Sequence, residues 1–284
     1  MNSFQRIEEY AHTIPQEPKV VAGANPDQDL TSWPSHGHLE VENLTAGYLL
    51  DSEPVLSGVD LDARPCQRIA IVGRSGSGKS SLVASVLRLA TKFKGRVAID
   101  GIDLDTVDAE HLRQGVSFIP QNPTLFEGQL RFNLDFTGTV EDAALQGVLD
   151  DVLGNTDKHW SLDQVITANG ANLSQGERQL IAVARALVAD TKIVIIDEAT
   201  ASLDEASDHR IQRLLRERLA DKTLLAIAHR LATIIDFDMV LVMDKGQVVE
   251  RGNPQQLVDS GQGEFWKLWK AMYSSNTPRE GRSS

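Results

Sequence analysis

Several common features are scarce in this 284-residue chain, and each scarcity excludes a class of protein. A single cysteine, Cys66, rules out an internal disulfide and is typical of a reducing compartment. The 28 Lys and Arg are outnumbered by 40 Asp and Glu, and the net charge of −12 argues against a nucleic-acid partner. No run approaches the roughly 18 apolar residues of a membrane span, and the N-terminus has no secretory signal. We therefore expect the chain as given to be soluble and cytosolic, although it can still dock on a membrane protein.

The glycine-rich segment at residues 73–80 is the most informative part of the chain. It reads Gly-Arg-Ser-Gly-Ser-Gly-Lys-Ser, follows the apolar run Ile69–Val72 and precedes a stretch with helical spacing. Strand, loop and helix in this order form a phosphate cradle, because the loop amides and the helix N-terminus point at the anion. Lys79 is expected to neutralise the outer phosphates, and Ser80 to bind the accompanying Mg²⁺. The alternative, a flexible Gly/Ser turn, does not account for the flanking strand and helix. This segment predicts a nucleotide-binding protein.

The rest of the chain is organised around this loop. Residues 1–36 are interpreted as a short helix, with Phe4, Ile7 and Tyr10 along one side, followed by an extended linker, because Pro, Asp, Gln and Gly are frequent from residue 15 to 34. From Leu39 onward, apolar and polar residues alternate with period two, which predicts a half-buried antiparallel strand, and a second strand is expected near Val55. From about residue 123 to 172 the pattern is helical and polar, as in an insertion. Continuous apolar runs then predict parallel strands buried on both faces, at residues 193–196, 224–228 and 239–243.

Two carboxylates directly follow the first of these buried strands. Asp197 and Glu198 come after the run Ile193–Ile196, and open α/β sheets bind their ligands at the carboxyl ends of the strands. Asp197 is predicted to hold Mg²⁺ through its water shell. Glu198 is predicted to polarise the attacking water as a general base. The alternative is an N-cap pair for the next helix.

Taken together, these motifs resemble the nucleotide-binding domain of ATP-binding-cassette (ABC) transporters over about residues 37–272. The chain is most similar to the second cassette of the multidrug-resistance-associated subfamily, subfamily C. The opening Phe-Gln-Arg-Ile-Glu-Glu-Tyr also resembles the segment that joins the last membrane helix to that cassette. The motifs that carry the resemblance occur in family order: Tyr48, the loop 73–80, Gln121 in Ile-Pro-Gln-Asn-Pro, Leu173-Ser-Gln-Gly-Glu-Arg-Gln, Asp197-Glu198, Ser202-Leu-Asp204, and His229 in Ala-His-Arg-Leu.

The resemblance implies a fold and a domain organisation. The fold class is α/β, a P-loop NTPase (RecA-like) core with a mainly parallel sheet, an antiparallel β-subdomain and an inserted α-helical subdomain. The nucleotide-binding domain would occupy residues 37–274, with the helical subdomain at about 123–178. Residues 1–36 would be a linker from a membrane domain, and residues 275–284 a polar tail.

The resemblance also implies a role for each motif. Tyr48 would stack on adenine, and His229 would hydrogen-bond the γ-phosphate and orient the water, beside Glu198 and Lys79 as catalytic residues. Ser80, Gln121 and Asp197 would bind Mg²⁺, and Ser202 and Asp204 would lie in a loop between the two sites of a dimer. From the residues alone, Tyr48 could be a half-buried strand residue, Gln121 a polar loop residue and His229 a structural histidine. The expected ATP-binding residues are Tyr48, Gly73, Arg74, Ser75, Gly76, Ser77, Gly78, Lys79, Ser80, Ser81 and Gln121.

The segment around Ser174 has two interpretations. Ser174 and Glu177, three residues apart ahead of an apolar periodic run, form a capping-box pattern, which explains both residues structurally. The resemblance implies that Ser174, Gln175, Gly176 and Glu177 act in trans on the nucleotide of a partner cassette. Here Gln175 replaces a glycine and Glu177 a glutamine of the usual Leu-Ser-Gly-Gly-Gln, which adds a negative charge near a phosphate. This signature is expected either to engage nucleotide or to serve a weakened site.

The sequence thus predicts ATP binding and hydrolysis, with ATP and Mg²⁺ as cofactors, that powers transport of a substrate across a membrane. The expected partners are the transmembrane domains of an exporter and a second, heterologous nucleotide-binding domain, at the cytosolic face of a membrane. One alternative is a soluble ABC ATPase outside transport, a class that usually carries coiled-coil insertions or basic surfaces. The other is a regulatory module that binds ATP without hydrolysing it, but such cassettes commonly lack the glutamate or the histidine.

Overall fold

The computed structural model describes residues 30–49, 52–154, 160–197, 205–228 and 230–274. Strands and helices alternate along most of this length. The strands are β1 (Leu39–Gly47), β2 (Leu56–Ala63), β3 (Arg68–Gly73), β4 (Thr91–Ile99), β5 (Ile102–Asp103), β6 (Val116–Ile119), β7 (Gly128–Gln129), β8 (Val165–Ile166), β9 (Ile193–Asp197), β10 (Thr223–Ile227), β11 (Met239–Asp244) and β12 (Gln247–Gly252). The helices are α1 (Lys79–Val86), α2 (Ala109–Gly115), α3 (Leu130–Leu134), α4 (Asp142–Leu153), α5 (Gln175–Val188), α6 (Glu205–Arg218), α7 (Pro254–Asp259) and α8 (Gly263–Ser274). None of the helices that the structure describes is both long and apolar enough to span a bilayer.

A six-stranded sheet forms the centre of the molecule, in the order β12-β11-β3-β10-β9-β6. Its strands are parallel from β11 to β6, and β12 is added antiparallel to β11 at the edge. The apolar runs that predicted parallel strands form β9, β10 and β11, and almost all of their residues are buried. The mainly parallel α/β core is therefore confirmed.

Strand β3 separates two hydrophobic cores because successive side chains of a strand point to opposite faces. Ile69 and Ile71 belong to the core that also contains Leu82 of α1. Ala70 and Val72 belong to the other core, together with side chains of α4 and α5. Burial on both faces explains why this strand reads as an uninterrupted apolar run, and it fixes the direction in which the strand delivers the following loop.

The antiparallel sheet has four strands in the order β2-β1-β4-β5. In β1, Leu39, Val41 and Leu44 are buried, and the register with β2 shifts between Val41 and Leu44. This strand and its antiparallel pairing were both predicted from the period-two pattern. Because α1 packs between β1, β3 and β4, this sheet lies against the helix that follows the glycine-rich loop.

Between β6 and β9 the chain forms α3, α4 and α5 together with a short ribbon, β7 paired antiparallel with β8. The helical character of this insertion agrees with the sequence pattern. The ribbon had no signal in the sequence, because two-residue strands are too short to show a period. The boundary of 123–178 for a helical subdomain stays a prediction.

Residues from Leu30 onward pack against the domain. The Trp33 indole N–H donates to the Ile99 carbonyl oxygen at 3.0 Å, and its ring stacks on His111 with centroids 5.9 Å apart. The Asp100 carboxylate accepts the backbone N–H groups of Ser35 and His38, both at 2.8 Å. The Leu30 carbonyl oxygen lies 3.1 Å from His111 Nε2, so the packed part of the chain extends to Leu30. The predicted linker before that point and the polar tail at residues 275–284 lie outside the described residues.

Candidate nucleotide site

The glycine-rich loop occupies the turn between β3 and α1, as predicted. The φ angles of Gly73 and Gly78 are 151° and 102°, in a region that glycine adopts without strain. A Cβ atom on Gly73 would overlap the carbonyl oxygen of Met243, so the backbone of β11 passes directly beside the loop. The Gly246 N–H donates to the Ser77 carbonyl oxygen at 2.9 Å and fixes the loop to the turn after β11. The loop conformation therefore depends on glycine at defined positions.

The side chain of Lys79 closes the loop on itself. Its ammonium group donates to the carbonyl oxygens of Gly73 and Arg74, each at 3.0 Å, and only 7% of the residue is exposed. Because the Lys79 ammonium group is hydrogen-bonded to these two carbonyl oxygens, its positive charge is held inside the bend of the loop. A cation in this position, next to the N-terminus of α1, favours an anion of high charge density.

The Ser77 hydroxyl is the clearest indication that the loop binds a ligand. Its hydroxyl oxygen is buried and has no hydrogen-bond partner among the described residues. An unpaired buried polar atom costs about 1–3 kcal/mol, so native structures rarely leave one without a purpose. A hydroxyl of this kind, in a loop that also holds a buried lysine, fits an oxygen-rich ligand such as a polyphosphate.

Strand ends bring further predicted residues to the same edge of the sheet. Asp197 is the last residue of β9 and lies in register with Ile227 of β10, which lies in register with Ile71 of β3. Because these strands are parallel, their carboxyl ends meet where the glycine-rich loop begins. Gln121 follows β6, the neighbour of β9 on its other side, and is exposed. The structure thus assembles Asp197, Gln121 and the loop along one edge.

The oxygen donors at this edge suit magnesium. A hydroxyl from Ser80, an amide oxygen from Gln121 and a carboxylate from Asp197 are hard ligands of the kind that Mg²⁺ prefers. Ser80 and Gln121 are exposed, and Asp197 is partly buried. The residues present therefore fit the predicted ion.

The side chain of Tyr48 contacts the first turn of α1. It directly follows β1, its side chain is about half exposed, and its hydroxyl lies 3.0 Å from the Ser81 hydroxyl. Sequence reasoning connected Tyr48 and Ser81 only through a common ligand. The structure brings the two side chains into direct contact.

The segment from Ser174 to Glu177 forms the N-terminus of α5 and contains the predicted capping box. The Glu177 N–H donates to the Ser174 hydroxyl at 3.2 Å, and the Ser174 N–H donates to the Glu177 carboxylate at 2.7 Å. Both residues are exposed or partly exposed. The structural interpretation of this segment is confirmed, and its action in trans stays a prediction.

Four predicted site residues lie outside the described residues, namely Glu198, Ser202, Asp204 and His229. In the sequence, Glu198 comes immediately after the end of β9, and His229 comes two positions after the end of β10. Their roles therefore depend on the sequence and on the strands that precede them.

A model of the ABC transporter family matches residues 56–201, just over half of the chain, including the glycine-rich loop and Asp197. The chain belongs to the ABC transporter family. Domains of this family bind ATP, and ATPase activity is a general property of its members. The predicted resemblance is thereby confirmed.

Relatives and a solved structure agree with this assignment. The chain is 40% identical to ATP-binding cassette transporter abc4 of Schizosaccharomyces pombe, over 100% of this chain and 20% of that protein. It is also 40% identical to ABC transporter C family member 3 of Arabidopsis thaliana, over 97% of this chain and 18% of that protein. The chain spans about a fifth of the length of these relatives. A bacterial Atm1-family ABC exporter with ATP bound is similar in structure, with a TM-score of 0.77 and 30% identity over 83% of this chain and 42% of that chain.

Sequence reasoning missed a cluster of three exposed phenylalanines in the insertion. Phe126, Phe132 and Phe136 pack edge to face, with the ring centroid of Phe136 5.3 Å from each of the other two. Arg185 of α5 lies over the Phe136 ring at 4.7 Å, and its burial lowers the pKa of the guanidinium to about 10. Each phenylalanine is roughly half exposed. The available signal was three phenylalanines within eleven residues of a chain that is only 5% aromatic.

Proposed function

We propose that this chain binds ATP with Mg²⁺ and hydrolyses it, and that it powers an exporter as the second of two cassettes. The observation that carries the proposal is the loop at 73–80. It holds the Lys79 ammonium inside a bend with a buried Ser77 hydroxyl that has no partner in the described part of the chain, beside the strand end that delivers Asp197. This arrangement of charge and hydrogen-bonding groups is suited to a triphosphate.

Each residue of the site would have a distinct task. The loop amides and Lys79 would bind and orient the phosphates, and Lys79 would balance the charge that develops on the terminal phosphoryl group. Ser80, Gln121 and Asp197 would hold Mg²⁺, which when bound neutralises phosphate charge. Glu198 would accept a proton from the attacking water.

Two further residue groups complete the proposed site. His229 would hydrogen-bond the γ-phosphate. The signature Ser174–Glu177 would face the nucleotide of a partner cassette, with Ser202 and Asp204 in the loop between the sites. Because Glu177 adds a negative charge there, we place this signature at the weaker of the two sites.

The phenylalanine cluster is the surface that we assign to the membrane domains. Helix α5 links it to the nucleotide edge, since Gln179 donates to the Pro120 carbonyl oxygen at 3.1 Å and Arg185 donates to the Asn133 carbonyl oxygen at 2.8 Å. Pro120 immediately precedes Gln121. A movement of Gln121 on nucleotide binding could thus reach Phe126 and its neighbours through contiguous contacts. The similarity to named ABC transporters favours a transporter at the cytosolic face of a membrane over a soluble ATPase.

Binding is tested by titrating MgATP into the folded chain in a calorimeter. The wild type is expected to bind, and Lys79→Ala to lose most of its affinity, because the charge that faces the phosphates is removed. Lys270→Ala is the matched control, since this lysine is exposed and lies over the Trp266 ring on α8. Absence of binding heat in the well-folded wild type would overturn the proposal.

Hydrolysis is tested with Glu198→Gln. We expect the variant to bind MgATP as the wild type does and to lose roughly 10²–10⁴-fold in turnover, the range for removal of a general base. Phosphate release, measured with a partner cassette present, reports the effect. Turnover close to that of the wild type would remove Glu198 from the catalytic role.

A further inference from the structure

Tyr48 is held at both of its ends. At its backbone, the preceding Gly47 pairs with Thr91 of β4 and closes the antiparallel ladder. At its tip, the hydroxyl lies 3.0 Å from the hydroxyl of Ser81 in the first turn of α1. Between these two anchors the residue is 54% exposed, which leaves surface open to a flat ligand.

The Ser81 hydroxyl can serve two neighbours at once. A serine hydroxyl has one proton to donate and two lone pairs that accept, and a tyrosine hydroxyl has the same capacity. Ser81 can therefore accept from Tyr48 and still donate to a phosphate oxygen, so the contact with Tyr48 does not use up its capacity to bind a phosphate. Ser81 is largely buried, with 9% exposed, so water competes weakly for it.

We propose that Ser81 is a positioning residue, whose contact with Tyr48 makes the adenine platform and the phosphate loop one preformed unit. This inference rests on the proposed function. A ring that is fixed before the nucleotide arrives loses no further rotamer freedom on binding, and preorganisation of this kind raises affinity. The contact therefore acts on ligands that carry a base and leaves the loop's own affinity for phosphate unchanged.

The test is a double-mutant cycle between Tyr48→Phe and Ser81→Ala, measured as the affinity for MgATP. Tyr48→Phe keeps the ring and removes the hydroxyl, so we expect a loss of about two- to tenfold, the range for one hydrogen bond. In the Ser81→Ala background the same change is expected to have no further effect, because the partner is already gone.

Two controls separate positioning from general damage to the site. Ser85→Ala removes another serine hydroxyl one turn further along α1, where it donates to the Ser81 carbonyl oxygen at 2.8 Å. Tyr48→Phe should weaken MgATP binding in that background as it does in the wild type. Magnesium tripolyphosphate, which lacks a base, should bind the Tyr48→Phe variant and the wild type equally.

The inference would be overturned if Tyr48→Phe bound MgATP as tightly as the wild type does. It would also be overturned if Tyr48→Phe lowered the MgATP affinity equally in the wild-type and Ser81→Ala backgrounds. An equal loss of tripolyphosphate affinity in Tyr48→Phe would do the same, because it indicates a disturbed loop. These results differ from failure of the proposed function, in which the wild type binds neither MgATP nor tripolyphosphate.

Discussion

At the scale of single residues, the glycine-rich loop combines a buried cation with backbone that only glycine accommodates. Lys79 donates to two carbonyl oxygens of its own loop, while Gly73 passes against the backbone of Met243. The two features depend on each other, since Gly73 supplies one of the carbonyls that Lys79 binds. A change at Gly73 is therefore expected to affect both stability and ligand binding.

Gly73→Ala and Gly76→Ala form a matched pair that isolates the effect of the close contact between Gly73 and Met243. Both glycines have positive φ, which costs a non-glycine residue about 1–2 kcal/mol, but a Cβ on Gly76 would meet open space. We expect Gly76→Ala to lower the free energy of unfolding by about that amount. Gly73→Ala should lose clearly more, because its Cβ meets a backbone oxygen that cannot rotate away. Denaturant unfolding measures both variants, and equal losses would show that the contact with Met243 is readily relieved.

At the scale of elements, helix α5 has an N-terminus with a complete capping box, and its side chains also form hydrogen bonds to neighbouring segments. Ser174 and Glu177 bond to each other's backbone, and Gln179 and Arg185 bond to carbonyl oxygens in the segments after β6 and within α3. The same helix carries the signature residues. Its stability and its proposed role in trans can therefore be separated by substitution.

Ser174→Ala and Glu177→Gln should have different effects on stability. Ser174→Ala removes the N-cap acceptor and should cost about 1 kcal/mol of unfolding free energy. Glu177→Gln keeps a side-chain oxygen that can accept from the Ser174 N–H, so only a few tenths of a kcal/mol from the helix dipole should be lost. Thermal unfolding of the wild type and both variants, measured in parallel, compares the two losses of stability. A larger loss in Glu177→Gln than in Ser174→Ala would mean that the charge, not the capping hydrogen bonds, stabilises this end.

A second element, the segment from Ser35 to His38, is attached through Asp100 and should detach in acid. Burial by itself would raise the pKa of Asp100, but hydrogen bonds from the backbone N–H groups of residues 35–38 outweigh it and lower the pKa. A lowered pKa in the folded state means that the stabilisation is present above the unfolded value, about 3.9. It is lost as the pH falls below that value through the folded pKa.

The variant Asp100→Asn tests whether the Asp100 carboxylate loses its stabilising effect as the pH falls. Asparagine does not titrate, so its unfolding free energy should fall less steeply than that of the wild type between pH 5 and pH 2, given as a rough window around the unfolded pKa. At neutral pH the variant should be the less stable of the two, because the charged acceptor is gone. Parallel slopes of stability against pH in the two proteins would exclude Asp100 as a source of acid sensitivity.

At the scale of the whole molecule, the described chain has one complete phosphate loop and one signature, at different places in the fold. The loop follows β3, and the signature begins α5 within the insertion between β6 and β9. If a signature acts in trans, a second cassette must supply the one that faces this loop. The relative abc4 is about five times as long as this chain and therefore extends well beyond the part that the chain matches.

The isolated chain is therefore expected to hydrolyse ATP slowly. Turnover per chain should rise with protein concentration, as transient pairs form, and should rise further when a first cassette is added. Phosphate release over a series of concentrations, with Glu198→Gln as the blank, measures both effects. A fast rate that is independent of concentration would contradict the need for a partner.

Much of the fold was predictable because its signals are local in the chain. The period-two pattern from Leu39 and the apolar run at 193–196 gave β1 and β9, and the glycine-rich segment gave the turn between β3 and α1. Strand β12 was not predicted. Its apolar and polar residues carry no marked run, and it is held at the sheet edge by pairing with β11.

Individual residues divide in the same way, into those marked by a local pattern and those placed by contacts with distant parts of the chain. Lys79, Ser80 and Asp197 were predictable because each stands at a fixed place in a strand–loop pattern. The packing of Trp33 on His111 was not, since 78 positions separate the two residues, and nothing near Trp33 in the sequence indicates its partner.

The sequence by itself determined where the candidate site lies, because a phosphate loop and the carboxylate at a strand end are each specified by a few neighbouring residues. Tertiary structure decided which distant side chains meet. Tyr48 reaches Ser81 through the pairing of β1 with β4 and the packing of α1, and the three phenylalanines meet through the fold of the insertion around α5. Such contacts depend on where whole elements pack, and that is set by the summed burial of the two cores rather than by any short stretch of residues.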